Sequence, residues 1–327
     1  MVKRSKSIFK IIAAVIFLAV IFLCAFHEGR CDEPREKSIA VLLSRSASPY
    51  AMALSGFRSA LTAAGVKYSI TLYDLEGSPE EGHRAMLSIK KTPPDLVLSV
   101  GSTATEVAYN EGRRFPVIFT MVQYPEDSGF TRGRKAARGN FSGVSLDVSP
   151  WLQFETLRRI APWVKRIGVL YDPSDTSSAV AEARAAARDH TVELIAVPVY
   201  SPARVPEVLN SLSGRIDALW SVADSTVFNS KSIKYVISFA LRNRIPFIGI
   251  SSYFVREGAL LSVSPDYLDV GRQAGEMAAK VLKGAPVESV PVARPRRVAS
   301  SINLRTAWRI GLNPSASELS NFNEVLK

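Results

Sequence analysis

The sequence predicts an α/β protein made of two doubly wound, parallel-sheet lobes with a ligand cleft between them. Three observations carry that expectation. Short apolar runs rich in β-formers alternate with segments of helical periodicity. The alternation stops at roughly 124–147 and then restarts for a second series of similar length. Strand ends in both series run into hydroxyl and acidic side chains. At 327 residues the chain exceeds one ordinary core and suits two domains of about 100–150 residues each.

The first series opens with SIAVLL, followed by the helical pattern of PYAMALSGFRSALTAAG, whose Gly65 suits a helix stop. YSITLYDL, DLVLSV and PVIFTMV are the next strands, with PEEGHRAMLSIKK and TEVAYNEG as the intervening helices. Residues 124–147, rich in Gly, Arg and Lys, show no periodic segment. The second series runs LQFETLRRIA, RIGVLYD, SAVAEARAAARDH, VELIAVPV, VPEVLNSLS, DALWSV, SIKYVISFALRNR and PFIGI. A last block holds GALLSV, the helix 268–283, VASSINL and TAWRIGL. This order assigns 38–147 plus about 262–290 to the first lobe, and 148–261 plus about 291–327 to the second. Near-continuous apolar strands joined by helices are those of a sheet covered on both faces.

The N-terminal segment 1–31 stands apart. Lys3, Arg4, Lys6 and Lys10 precede sixteen uninterrupted apolar residues, Ile11–Phe26. That pattern predicts an export signal, or an anchor if it is retained, and hence a periplasmic or extracytoplasmic location. Both cysteines, Cys24 and Cys31, lie there, so from Asp32 onward disulfides, thiolate metal sites and a cysteine nucleophile are excluded. The formal charge is +11, of which the leader holds five basic residues and one acid, leaving +7 on the body. Basic knots at Arg113-Arg114, Arg132–Arg138 and Arg294–Arg297 are not interleaved with aromatics, so a solvated basic surface is expected and no nucleic-acid partner.

Ligands of open α/β sheets bind beyond the carboxyl ends of the strands, where helix N-termini offer N–H groups to anions. DLVLSVGSTAT ends in Ser102, Thr103 and Thr105; PVIFTMVQYP in Thr120 and Gln123; RIGVLYDPSDTSS in Asp172, Asp175, Thr176, Ser177 and Ser178. DALWSVADST ends in Asp224, PFIGISSYF in Ser251, Ser252 and Tyr253, and LLSVSPDY in Ser264 and Asp266. Any one of these is ordinary helix capping; six such ends on one side of two sheets suggest a site. Asp224 and Asp266 would accept from an ammonium, while Ser102, Thr103, Ser177 and Ser178 would donate to a carboxylate. The set suits a zwitterion such as an amino acid, although a sugar could use the same groups. Tyr50, Tyr124, Phe228, Tyr253 and Tyr267 are candidates to cover an apolar side chain. Trp151, Trp163, Trp220 and Trp308 are expected to pack within the lobes.

Chemistry of other kinds finds no support. There is no glycine-rich phosphate cradle and no Gly-x-Ser-x-Gly elbow. Of the three histidines, His83 and His190 fall on or at the end of polar helices and are expected at the surface, which leaves no His-based triad or zinc site. An enzyme is not expected, and neither is a cofactor or a metal.

The ordered set GSTAT, PVIFT, GNFSGVS, RIGVLYDPSDTSS, DALWSVADS, PFIGISSYFVREGALLSVSPDYLDVGRQAGEMAAKVLKG and INLRTAWRIGL resembles the periplasmic substrate-binding proteins of ABC transporters, of the tryptophan/tyrosine-binding type, from Ser38 to about Leu312. The resemblance implies a type I periplasmic-binding-protein fold, a small ligand that is often an aromatic amino acid, closure of the lobes over it, and an ABC permease as partner. By position it points to Ser102, Thr105, Ser177, Ser178, Asp224 and Asp266. The chain departs from the pattern in two turns: MVQYPEDSGF has Gln123 and Tyr124 where relatives carry an acidic turn, and Thr176-Ser177-Ser178 stands where they carry Asn before Ser. A second expectation, a ligand-sensing ectodomain of a membrane signalling system, follows if the leader tethers the lobes to the membrane.

Overall fold

The first sheet is built from β1 (Lys37–Leu43), β2 (Tyr68–Asp74), β3 (Leu96–Val100), β4 (Val117–Val122) and β5 (Phe141–Ser145), all parallel, in the order β2-β1-β3-β4-β5. The computed structural model describes residues 35–130, 139–229 and 231–327. The leader 1–31 with its cysteines, His27 and the Arg132–Arg138 knot lie outside the described residues. Among those described, no helix is long and apolar enough to cross a membrane.

Both faces of the inner strands are buried, which is why β1, β3 and β4 read as apolar runs, whereas the edge strand β2 stays partly exposed. Ile39, Val41 and Leu43 of β1 face one core, with Phe57 and Leu61 of α1 (Ser48–Ala63) and Val270 and Ala274 of a returning helix. Ala40 and Leu42 face the other, with Met86 and Ile89 of α2 (Pro79–Lys91) and Val107 of α3 (Ser102–Glu111).

The second sheet runs β12-β11-β10-β9-β8-β6-β7. Its strands are β6 (Arg166–Tyr171), β7 (Glu193–Pro198), β8 (Ala218–Trp220), β9 (Phe247–Gly249), β10 (Leu261–Pro265), β11 (Val298–Asn303) and β12 (Glu324–Leu326). Among the described strands only β10 and β11 pair antiparallel. The connecting helices include α4 (Pro150–Ile160), α5 (Pro173–Asp189), α6 (Val205–Ser211), α7 (Ile233–Arg242) and α8 (Ser252–Glu257). The long helix α9 (Tyr267–Leu282) leaves β10 and packs on α1 of the first lobe; α10 (Leu304–Arg309) and α11 (Ala316–Leu319) return to the second.

Several expectations change here. The stretch 124–147 contains a strand, β5, which its five residues and central Gly143 conceal; a Cβ at Gly143 would lie 2.2 Å from the Phe119 carbonyl oxygen. GALLSV belongs to the second sheet, because β10 pairs with β9 and β11; of the block at about 262–290 it is α9 that crosses. Trp220 is buried, but Trp151, Trp163 and Trp308 are 45%, 54% and 58% exposed. His190 is buried rather than at the surface, its Nε2 2.9 Å from the Trp151 carbonyl oxygen and its ring 4.9 Å from the Trp151 ring.

The chain passes between the lobes near 145–150, 265–267 and 290–298. The last passage is held to the first sheet by a bridge from Val144 to Ala293, with hydrogen bonds Ala293 N–H to Gly143 O and Ser145 N–H to Ala293 O, both 2.9 Å. Gln273 of α9 holds the same passage, donating to Arg294 O and accepting from Arg296 N–H. The α1–α9 contact is made backbone to backbone at glycines: a Cβ on Gly271 would sit 1.9 Å from Ala53 O, and one on Gly56 2.0 Å from Leu268 O.

Candidate functional site

Each strand of the first sheet delivers its carboxyl end to one edge. After β3, Gly101 takes φ 92°, a conformation that L side chains rarely adopt, and a Cβ there would meet Ser44 Oγ at 2.6 Å. This turn lets α3 begin at Ser102, three residues earlier than the sequence pattern suggests. Ser44 Oγ accepts from the Ala104 N–H at 2.9 Å. Ser102 is exposed at the rim and Thr103 half-buried. Thr105 is fully buried and donates to Ser99 Oγ at 3.0 Å, so it faces the sheet rather than the rim. Thr120 is also buried, inside β4, with no partner for its hydroxyl. Past it β4 breaks register with β5, and Met121 (φ 62°) and Tyr124 (φ 46°) take left-handed backbone conformations. Such a bulge re-aims the side chains that follow it.

Three cavities follow this edge. One of about 340 Å³ is bounded by Arg45, Tyr50, Ser102, Gln123, Leu146 and Tyr267. It shares Gln123 and Leu146 with a narrow waist of about 30 Å³, which reaches Trp220, Ser221 and Ile250 of the second lobe. The waist shares Tyr124 and Asp147 with a third cavity of about 620 Å³, lined further by Asp127, Ser177, Ser178, Glu182 and Arg294. The linings connect in series, so the cavities form one cleft between the two sheets.

Ser102, Gln123, Ser177 and Ser178 are therefore brought to this cleft. Asp224 and Asp266 are directed elsewhere. Asp224 is buried and accepts from the Asp172 N–H, from Thr176 Oγ1 at 2.9 Å and from the Val227 N–H at 2.9 Å. Asp266 caps α9 through the N–H groups of Leu268 and Asp269. Both are carboxylates engaged in their own turns, Asp224 by two backbone N–H groups and the Thr176 hydroxyl, and Asp266 as an N-cap through Oδ1. Ser252 begins α8 and does not line these cavities. The second-lobe turn also differs from expectation: α5 starts at Pro173, with Thr176 off the helical conformation, so Ser177 and Ser178 lie within the helix. Among the aromatics, Tyr50, Tyr124 and Tyr267 line the cleft, Phe228 is buried beside Phe247, and Tyr253 is exposed.

A further carboxylate in the cleft is Asp147, two residues beyond β5. Tyr124 N–H donates to its Oδ1 at 2.8 Å, and Ser145 Oγ accepts from its own N–H at 3.3 Å. Burial pushes its carboxyl above the usual range, against the stabilising Tyr124 N–H. Among the described residues no cation pairs with it. Arg294 stands nearby but uses both terminal nitrogens on Glu182, at 2.8 and 3.0 Å. This pair, with the hydrogen bond from Ser178 Oγ to Asp127, ties α5 across the cleft. Asp147 escaped the sequence reading because β5 did; once β5 is seen as a strand, SGVSLD is another polar strand end. Arg45 and Tyr50, after β1 in SRSASPY, obey the same rule.

No histidine or cysteine lines the three cavities, and among the described residues no group of His, Cys, Asp or Glu is placed to hold a metal ion. The arrangement offers hydroxyls, a guanidinium (Arg45), aromatic rings and the Asp147 carboxylate, which are means of recognition.

Residues 38–322 match the family described as ABC transporter substrate binding protein. A protein of Clostridioides difficile (strain R20291) named "Tyrosine-binding protein" is 26% identical over 306 residues, which span 89% of this chain and 88% of that protein. The ligand-free, open structure of a substrate binding protein with adhesive properties from Clostridium difficile superposes with a TM-score of 0.75 at 25% identity, over 89% of this chain and 99% of that one. An L-Trp complex from Streptococcus pneumonia superposes with a TM-score of 0.69 at 24% identity, over 89% of this chain and 100% of that one, and shows the same fold.

Proposed function

Given that this chain belongs to the ABC transporter substrate-binding protein family, we propose that it is the extracytoplasmic binding component of an ABC importer and captures a small amino acid, aromatic in its side chain, between its two lobes. The observation that carries this reading is the Asp147 carboxylate, with which no cation among the described residues pairs, at the waist of a cleft whose adjoining cavity holds Tyr50, Tyr267 and Arg45. The ligand ammonium would pair with Asp147. Its ring would lie against Tyr50 and Tyr267, and its carboxylate would meet Arg45 and the Ser102 rim, where α3 begins. The relatives named above for tyrosine and bound to L-Trp support the ligand class.

A ligand that touches both lobes stabilises the closed arrangement by as much as it prefers that arrangement to the open one. The closed form would then be the one offered to the permease. Isothermal titration of the purified protein with the twenty amino acids and a set of small sugars tests the reading. The expected result is binding of L-tyrosine or L-tryptophan, with a melting temperature raised by a few degrees at about 100-fold excess over the dissociation constant. Binding of sugars alone, or of no amino acid, would contradict it.

A further inference from the structure

The waist of the cleft is narrow because a side chain from the first lobe fills it. Tyr124 belongs to the turn after β4, where its left-handed backbone (φ 46°) and the hydrogen bond from its N–H to Asp147 Oδ1 fix its direction. Its ring packs against the hydrophobic core of the second lobe, the cluster that includes Trp220, Phe228 and Val222. The Ala223 backbone stands at its hydroxyl. Tyr124 thus lines both the waist and the 620 Å³ cavity, and it is the ring between them. The waist, at about 30 Å³, is far too small for another ring, since a cavity that holds benzene measures about 150 Å³.

We propose that Tyr124 is a specificity-determining residue: its phenol occupies the second lobe's ring-sized slot, divides the cleft, and limits the ligand to what fits on the Tyr50–Tyr267 side. This inference rests on the reading that the cleft binds an aromatic amino acid. Beyond the Tyr124 wall, the 620 Å³ cavity is lined by Asp127, which accepts from Ser178, and by Glu182, which is paired to Arg294. A ligand extended through its amino group by a lysyl residue would reach that acidic space only if the wall were removed.

The test compares wild type, Tyr124→Phe and Tyr124→Ala by calorimetry, with L-tyrosine and lysyl-tyrosine, or L-tryptophan and lysyl-tryptophan if tryptophan is the tighter ligand. Wild type and Tyr124→Phe are expected to favour the single amino acid over the dipeptide, and Tyr124→Ala to shift that ratio by roughly tenfold or more towards the dipeptide, the scale on which pocket shape discriminates. An unchanged ratio in Tyr124→Ala, or an equal shift in Tyr124→Phe, would overturn the proposal. Failure of wild type to bind either amino acid strikes at the functional reading instead. In that event melting with p-cresol decides: Tyr124→Ala should be stabilised by the phenol and wild type should not, and an absence of this difference would overturn the slot.

Discussion

Asp147→Asn is expected to weaken binding of the aromatic amino acid by about thirtyfold or more, near 2 kcal/mol, while raising the melting temperature of the ligand-free protein. The two effects have one cause. Asp147 sits half-buried at the waist with a single backbone N–H on its carboxylate oxygens and, among the described residues, no cation paired to it. Burial raises its folded pKa above its unfolded value, so the native state binds the proton more tightly than the unfolded state. Ionised Asp147 opposes folding at neutral pH; the opposition vanishes below the unfolded value, near 3.9, and is complete above the folded one. Between the two, ligand-free stability falls as pH rises, and the asparagine variant should lose that part of the slope. Ligand affinity runs the other way through the same window, because an ammonium needs the charged form. Thermal melts and titrations at several pH values, on both proteins, check the pair of trends. A variant that binds as tightly as wild type would remove Asp147 from the site.

The largest stability effect is expected at Gly271→Ala. Alanine normally favours a helix over glycine by about 1 kcal/mol, so on propensity alone the substitution in α9 would stabilise. The packing reverses the sign. The added methyl would meet Ala53 O of α1 at 1.9 Å, with the Ala53 carbonyl carbon at 2.6 Å, and neither is a flexible side-chain end that could move aside. The helices must separate, loosening the contacts of Val270 and Ala274 with Phe57. Overpacking of this kind costs about 3 kcal/mol. Urea unfolding should show a lower midpoint with an unchanged slope; equal midpoints for the two proteins would contradict the backbone contact between α1 and α9.

The sheets were legible because strands buried on both faces leave apolar runs that polar helices and turns interrupt. β1, β3, β4 and β6 all announce themselves in this way. β5 and β12 do not, being five and three residues long without a sustained pattern, and the missing β5 hid Asp147. The cleft was legible as a rule about polar strand ends, and the rule led to Ser102, Gln123, Ser177 and Ser178. It failed for Thr105, Asp224 and Asp266, since a hydroxyl or carboxylate that bonds a neighbouring group of the protein looks in sequence like one that faces a ligand. Asp266 caps its own helix and Thr105 turns back to Ser99 in the preceding strand, while Asp224 is held across 48 positions by Thr176, which no local pattern records. His190 and the exposed tryptophans were misplaced for a related reason: helix periodicity fixes a face, but the neighbour that covers it comes from elsewhere in the chain.

The central claim is that one small ligand is held between the two lobes at the waist of the cleft. Amide hydrogen exchange, with and without the amino acid that binds in the titration, tests it most directly. Protection is expected in both lobes at once, over 121–124 and 145–148 on one side and over 220–223 on the other. Protection confined to a single lobe, or appearing only on surfaces remote from these segments, would contradict it.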